Sequence, residues 1–193
     1  RPRTADKRLS ERARDRCPAT ATRYAVVSEP MSEHTHGAVV GVGNPIMGDD
    51  GVGEHVIEKL RDEGLPDDVV ATHAGTTAFF ALEAMSGADY AIVVDAVAVE
   101  DASPGAIHRY RYREGSFDGS PPDVLMHDFS FSDALQAGRD PYDLPEELLV
   151  LGVQPADTGP GTELSDAVAG RIPDVIDLVR ETIAARTRPR AEL

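Results

Sequence analysis

The run Ala38-Val39-Val40-Gly41-Val42-Gly43-Asn44-Pro45-Ile46-Met47-Gly48-Asp49-Asp50-Gly51-Val52-Gly53 decides how this chain folds. It opens on a short apolar, β-rich segment of the kind buried on both faces of a sheet. A glycine-rich loop follows, and beyond it Val52, Val56, Ile57 and Leu60 recur at helical spacing, with Gly64 where a helix stop belongs. The loop is neither G-x-G-x-x-G nor a P-loop, and it carries no lysine. Two carboxylates, Asp49 and Asp50, occupy the place a phosphate would need, so a cation or a helix cap suits it better than an anion.

Downstream, the strand–loop–helix pattern repeats. Residues 69–73 form a second strand candidate, and residues 77–86 read as a helix offering Phe79, Leu82 and Met85 to the core and stopping at Gly87. Residues 90–95 are the strongest strand and end in the carboxylate of Asp95. Residues 107–112 alternate, which leaves Arg109, Arg111 and Arg113 on a solvated face. Residues 114–123, rich in Gly, Ser and Pro, read as a loop, 129–137 as a short helix and 148–153 as another buried strand. Residues 164–185 read as a long amphipathic helix with Leu164, Val168, Ile172, Val175, Val179 and Ile183 on its apolar face. Within it Pro173 either kinks the helix or starts a new one. Strands alternating with helices predict an α/β fold: three layers, α/β/α, around a mainly parallel twisted sheet of about five strands with helices on both faces. Such an architecture is phosphorylase/hydrolase-like.

Upstream, residues 1–36 have no apolar periodicity and are expected to be a basic, disordered N-terminal extension, leaving 37–193 as the α/β domain. Translation can begin naturally at Met31. His34 and His36 belong to this polar lead and are read as solvated rather than metal-binding. At 193 residues the chain suits a single domain that buries about two-thirds of its unfolded surface. Cys17 is the sole cysteine, which excludes an internal disulfide framework. No segment approaches the roughly 20 apolar residues of a membrane span or resembles a signal peptide, so a cytoplasmic protein is expected.

Charge divides at the same boundary. Residues 1–36 sum to +3 and residues 37–193 to −18 within a total of −15. A domain that acidic repels a phosphate backbone, which excludes nucleic acid as a partner. With only Lys7 and Lys59 beside seventeen arginines, the acidic body resembles proteins of high-salt cytoplasms, where screening relieves self-repulsion.

In a sheet of this kind ligands bind beyond the carboxyl ends of the strands, at a switch in strand order. Three segments fall there: the Asp49-Asp50 loop, Val94-Asp95-Ala96, and Met126-His127-Asp128 ahead of a predicted helix. One of Asp49 and Asp50 suffices to cap the helix, so the other is left over. Two carboxylates and an imidazole form a mixed O/N set suited to a divalent transition metal, with Zn, Ni, Fe and Mn undecided by chemistry alone. No G-x-S-x-G, H-E-x-x-H or C-x-x-C occurs. His55 and His108 read as surface residues.

These segments resemble the NiFe-hydrogenase maturation endopeptidases, which trim the C-terminus of the hydrogenase large subunit. The family's opening G-x-G-N-x-x-x-G-D-D-G-x-G stands complete from Gly41 to Gly53, its strand ending in D-A is similar to Val94-Asp95-Ala96, and its loop histidine matches His127. Its late G-x-x-P resembles Gly152-Val153-Gln154-Pro155, and the likeness spans about residues 37–185. The resemblance implies that Asp50, Asp95 and His127 bind nickel, which the immature large subunit itself brings, and that they carry the cleavage. It also implies that Gly43, Asn44, Asp49 and Gly51 shape a loop against which the substrate backbone lies. Many members have an aspartate before the Gly-Gly-Thr or Gly-Ser turn, where this chain has His73-Ala74-Gly75-Thr76. His73 is therefore an added or altered contact near the site. Two alternatives stay open on sequence: a non-catalytic, metal-sensing hydrogenase assembly factor, and a divalent-metal hydrolase of a small substrate held in a deep enclosed pocket.

Overall fold

A computed structural model describes residues 36–113, 116–118, 125–126 and 129–187. The extension expected to be disordered lies outside these residues except for His36, and so do Cys17, His34 and His127.

The described strands are β1 (Gly37–Gly41), β2 (Val69–His73), β3 (Tyr90–Ala96), β4 (Ile107–Arg113), β5 (Ser116–Phe117), β6 (Leu125–Met126), β7 (Phe129–Ser130) and β8 (Glu147–Val153). The helices are α1 (Val52–Glu63), α2 (Ala78–Met85), α3 (Phe131–Gly138), α4 (Asp166–Ala169) and α5 (Ile172–Thr187), and a 3-10 turn, Gly48–Gly51, leads into α1. Six strands make the main sheet in the order β2-β1-β3-β8-β4-β5, and β6 pairs with β7 separately. The first four run parallel; β4 is antiparallel to β8, and β5 to β4.

Alternation along each strand sends successive side chains to opposite faces, and each face has its own core. On one face Val40, Ala91, Val93 and Val150 meet Leu82 and Met85 of α2 and Phe131, Ala134 and Leu135 of α3. On the other, Val39, Ile92, Val94 and Leu151 meet Val56, Ile57 and Leu60 of α1 and Val175, Val179 and Ile183 of α5. This is the three-layer arrangement expected, with six strands in place of about five.

The differences from expectation have local causes. Residues 116–117, placed in a loop for their Gly, Ser and Pro neighbours, pair with Tyr112 and Arg113 as β5, and Phe117 packs edge-on against Tyr112 with ring centroids 5.1 Å apart. Phe79 is 46% exposed, whereas Leu82 and Met85 are buried: on α2 the buried side chains are Ala78, Ala81, Leu82 and Met85, which turns Phe79 and Phe80 outward. Phe129 and Ser130 form β7 before the helix begins at Phe131. The long helix over 164–185 is two helices, α4 and α5, and Pro173 lies in the first turn of α5, where its missing N–H costs no helical hydrogen bond. No helix among the described residues is long and apolar enough to cross a membrane.

Candidate active site

The chain leaves β1 through α1 to β2 on one side, then crosses through α2 to β3 on the other. The switch point therefore lies between the C-terminal ends of β1 and β3, where Asp50 and Asp95 stand. Beyond its last register pair, Gly41 with Val94, the chain stays beside β3 through Val42 N, which donates to Val94 O at 2.8 Å. The start of α1 then packs directly on the strand ends. A Cβ on Gly53 would lie 2.2 Å from Val42 O and 2.9 Å from Val94 O, so the glycine is what allows that approach.

Asp49 is 1% exposed and fully engaged. Its carboxylate accepts from Ala156 N (2.7 Å), Asp157 N (3.0 Å), Ser165 N (2.7 Å) and Ser165 Oγ (2.8 Å). Burial alone would raise its pKa; the hydrogen bonds from Asp157, Ser165 and Ala156 outweigh burial and hold it below the ordinary carboxylate range. Backbone bonds run alongside, from Asp49 N to Asp157 O and from Gly48 N to Gly161 O. Neither Asp49 nor Asp50 caps a helix: the 3-10 turn and α1 both start without a side-chain cap. Grouped on sequence with the substrate loop, Asp49 is instead enclosed as the tie that fastens this loop to residues 156–165.

Asp50 turns the other way. Its Oδ2 accepts from Asn44 N at 2.8 Å, and its negative charge reaches Asp95. Asp95 is 5% exposed, and its Oδ1 accepts from Ala96 N at 2.8 Å. Burial first, and then the charge of Asp50, push its pKa up to about 7 against the single hydrogen bond that lowers it. Two carboxylates within electrostatic reach of each other, on one buried strand end and one adjacent turn, with no positive charge beside Asp95 among the described residues, could serve as oxygen donors to a divalent cation. Among the described residues no three His, Cys, Asp or Glu side chains form a metal-holding group.

The loop between them is built tightly. Gly43 has φ +120°, and a Cβ there would fall 1.8 Å from Asp50 O. Gly43 N donates to Gly75 O at 3.0 Å, and Asn44 Oδ1 accepts from Ile46 N at 3.2 Å in an Asx turn. Gly51 lies buried against the Pro45 backbone. From the end of β2, His73 Nε2 lies 3.2 Å from Gly43 O, and its Nδ1 lies 3.7 Å from Glu54 Oε1.

His127, the expected third ligand, lies outside the described residues; the strands flanking it, β6 and β7, pair with each other. His55 is half-buried rather than at the surface. So is His108, whose Nε2 is enclosed without a hydrogen-bond partner among the described residues. Four participants escaped sequence reasoning. Ser165 and the amides of 156–157 act from more than a hundred residues away, and Glu54 reads as an ordinary acid of a first helical turn.

A family model described as hydrogenase maturation protease matches residues 54–182. The hydrogenase 2 maturation protease of Escherichia coli is 28% identical over 144 residues, which cover 73% of this chain and 86% of that one. Among solved structures, the hydrogenase maturating endopeptidase HybD from E. coli superposes with a TM-score of 0.65 at 27% identity, covering 78% of this chain and 93% of its own. A hydrogenase 2 maturation peptidase from a Thaumarchaeota archaeon gives 0.58 at 28% identity, covering 77% and 98%.

Proposed function

The chain belongs to the hydrogenase maturation proteases, peptide-bond hydrolases, and from that premise we propose that it removes the C-terminal extension of a nickel-loaded NiFe-hydrogenase large-subunit precursor. The supporting observation is the Asp50–Asp95 pair at the switch point, with Asp95 buried, raised to about 7 and without a counter-charge among the described residues.

The residues divide the work as follows. Asp50 and Asp95 hold the nickel that the precursor brings, with His127 as the nitrogen ligand. Near pH 7 Asp95 keeps its proton part of the time, and arrival of the cation releases it, since a ligating carboxylate must be ionised. Bound nickel supplies Lewis acidity at the scissile peptide. Gly43 and Asn44 shape the wall along which the peptide lies, and Asp49 keeps that wall fixed to the loop after β8. The reaction is placed in the cytoplasm.

A small-substrate hydrolase gains no support from the cavities found among the described residues. One of about 760 Å³, lined by Tyr112, Arg139, Tyr142 and Glu147 among others, lies at the start of β8, whereas Gly152 at its other end pairs with Asp95. Incubation with precursor that carries nickel, and with precursor that lacks it, tests the assignment when the mass of the processed protein is measured. Cleavage of the nickel-loaded form alone is expected; no cleavage of either would overturn it.

A further inference from the structure

The peptide group joining Gly43 to Asn44 is gripped at both ends by side chains from different elements. Its carbonyl oxygen, on Gly43, lies 3.2 Å from His73 Nε2 at the end of β2. Its N–H, on Asn44, donates to Asp50 Oδ2 at 2.8 Å. In a planar trans peptide these two groups point in opposite directions, so whatever fixes the carbonyl also aims the N–H. A carbonyl only accepts, so Nε2 carries a hydrogen and donates it, while Nδ1 lies 3.7 Å from Glu54 Oε1 in the first turn of α1. The ring is 17% exposed, held between the loop and the helix.

Gly43 makes this grip necessary. A glycine at φ +120° has no side chain to bias the orientation of the peptide that follows it. Its own N–H is tied to Gly75 O, which fixes the preceding peptide and leaves the next to be fixed by something else. His73 is the side chain placed to do that. Its donation to the carbonyl also polarises the peptide and strengthens the N–H as a donor to Asp50.

We propose that His73 is a positioning residue for the cleavage reaction: acting through the Gly43–Asn44 peptide, it aims Asp50. One oxygen of Asp50 is occupied by Asn44 N–H, and the other is left for the cation. The inference rests on the assignment of Asp50 as a nickel ligand.

The test compares His73→Ala, His73→Gln and Asp50→Ala in the full chain. Precursor cleavage is resolved into kcat and KM, and binding of nickel ion alone to the free enzyme is measured by calorimetry. Loss of an outer support of a metal ligand costs roughly 10–100-fold in affinity or activity. His73→Ala should lower kcat and nickel affinity by such a factor, with KM nearly unchanged. His73→Gln, whose amide N–H reaches where Nε2 did, should recover most of both. The inference is overturned if His73→Ala changes KM alone, or if the Gln variant is as impaired as the Ala variant. It is also overturned if Asp50→Ala abolishes cleavage while His73→Ala leaves kcat and nickel affinity intact. Undiminished cleavage by Asp50→Ala removes the ligand assignment itself, and this inference with it.

Discussion

Asp49 and Ser165 are joined twice across 116 residues: Ser165 N donates to Asp49 Oδ1 at 2.7 Å and its hydroxyl to Oδ2 at 2.8 Å. The same hydroxyl accepts from Val168 N at 3.4 Å and so starts α4. One carboxylate thereby fastens the loop after β1 to the segment after β8, while its neighbour in the chain, Asp50, is left facing Asp95. The 3-10 turn accounts for the division of labour, because consecutive residues in it leave the backbone in different directions.

Asp49→Ala should therefore cost stability rather than chemistry. It removes the charged acceptor of three backbone N–H groups, on Ala156, Asp157 and Ser165, which amounts to roughly 3 kcal/mol and about 9 °C in Tm for a domain of this size. The pKa of Asp49 is depressed in the folded state, so its contribution is present above the unfolded value near 3.8 and is lost as pH falls through the folded value. Thermal melts of wild type and Asp49→Ala should differ widely at pH 7 and by progressively less as pH falls below 3.8. A gap that persists undiminished in acid would contradict an ionic tie.

Asp95 has the opposite sign. Its folded-state pKa, raised from 3.8 to about 7, means the unfolded chain gives up its proton first. Stability should fall as pH rises from about 4 to 7, with the full cost present above 7 and bounded at roughly 4 kcal/mol. Metal-free Asp95→Asn should melt higher than wild type at pH 8 and nearly equally at pH 4, while losing cleavage. Equal melting temperatures at pH 8 would show that the buried carboxylate carries no such cost.

How much of this was legible in the chain follows from how local each feature is. The β1–loop–α1 unit could be read because its signals lie within about thirty consecutive residues: β-branched residues before Gly41, a spacing of three and four after Val52, and Gly64 at φ +86°. The carboxylate ending β3 could be read for the same reason. Asp49 and Asp50 could not be told apart, since both are acids in one turn and the partner that separates them is Ser165. Phe79 looked like core because α2 is apolar nearly all round, and only packing against the sheet selects which face is covered. The pairing of Ser116 and Phe117 with β4 is a tertiary event within a stretch of turn-forming composition. Gly41 to Gly53 marked a site, but the clasp of His73 on Gly43 depends on strand register, Gly41 opposite His73.

Gly43→Ala should disable the loop. The new Cβ would meet Asp50 O at 1.8 Å, and φ +120° is strained for any side chain, so backbone must shift at both Gly43 and Asp50. A loss of roughly 2–3 kcal/mol in unfolding free energy is expected, with cleavage reduced further than stability alone explains. Denaturant titration paired with the precursor assay would separate the two. Full activity in a normally stable Gly43→Ala protein would contradict the loop geometry.

The central claim is that Asp50, Asp95 and His127 together hold the nickel at which the precursor is cut. Its most direct test is the rate at which wild type, Asp50→Ala, Asp95→Ala and His127→Ala remove the extension from nickel-loaded precursor, read from the mass of the processed C-terminus. Losing a ligand removes several kcal/mol of charge stabilisation at the reacting carbonyl, roughly a hundredfold or more in rate. Wild type should complete the cleavage and each of the three variants should fall by at least that factor while remaining folded. Undiminished cleavage by folded Asp50→Ala or His127→Ala would contradict the account.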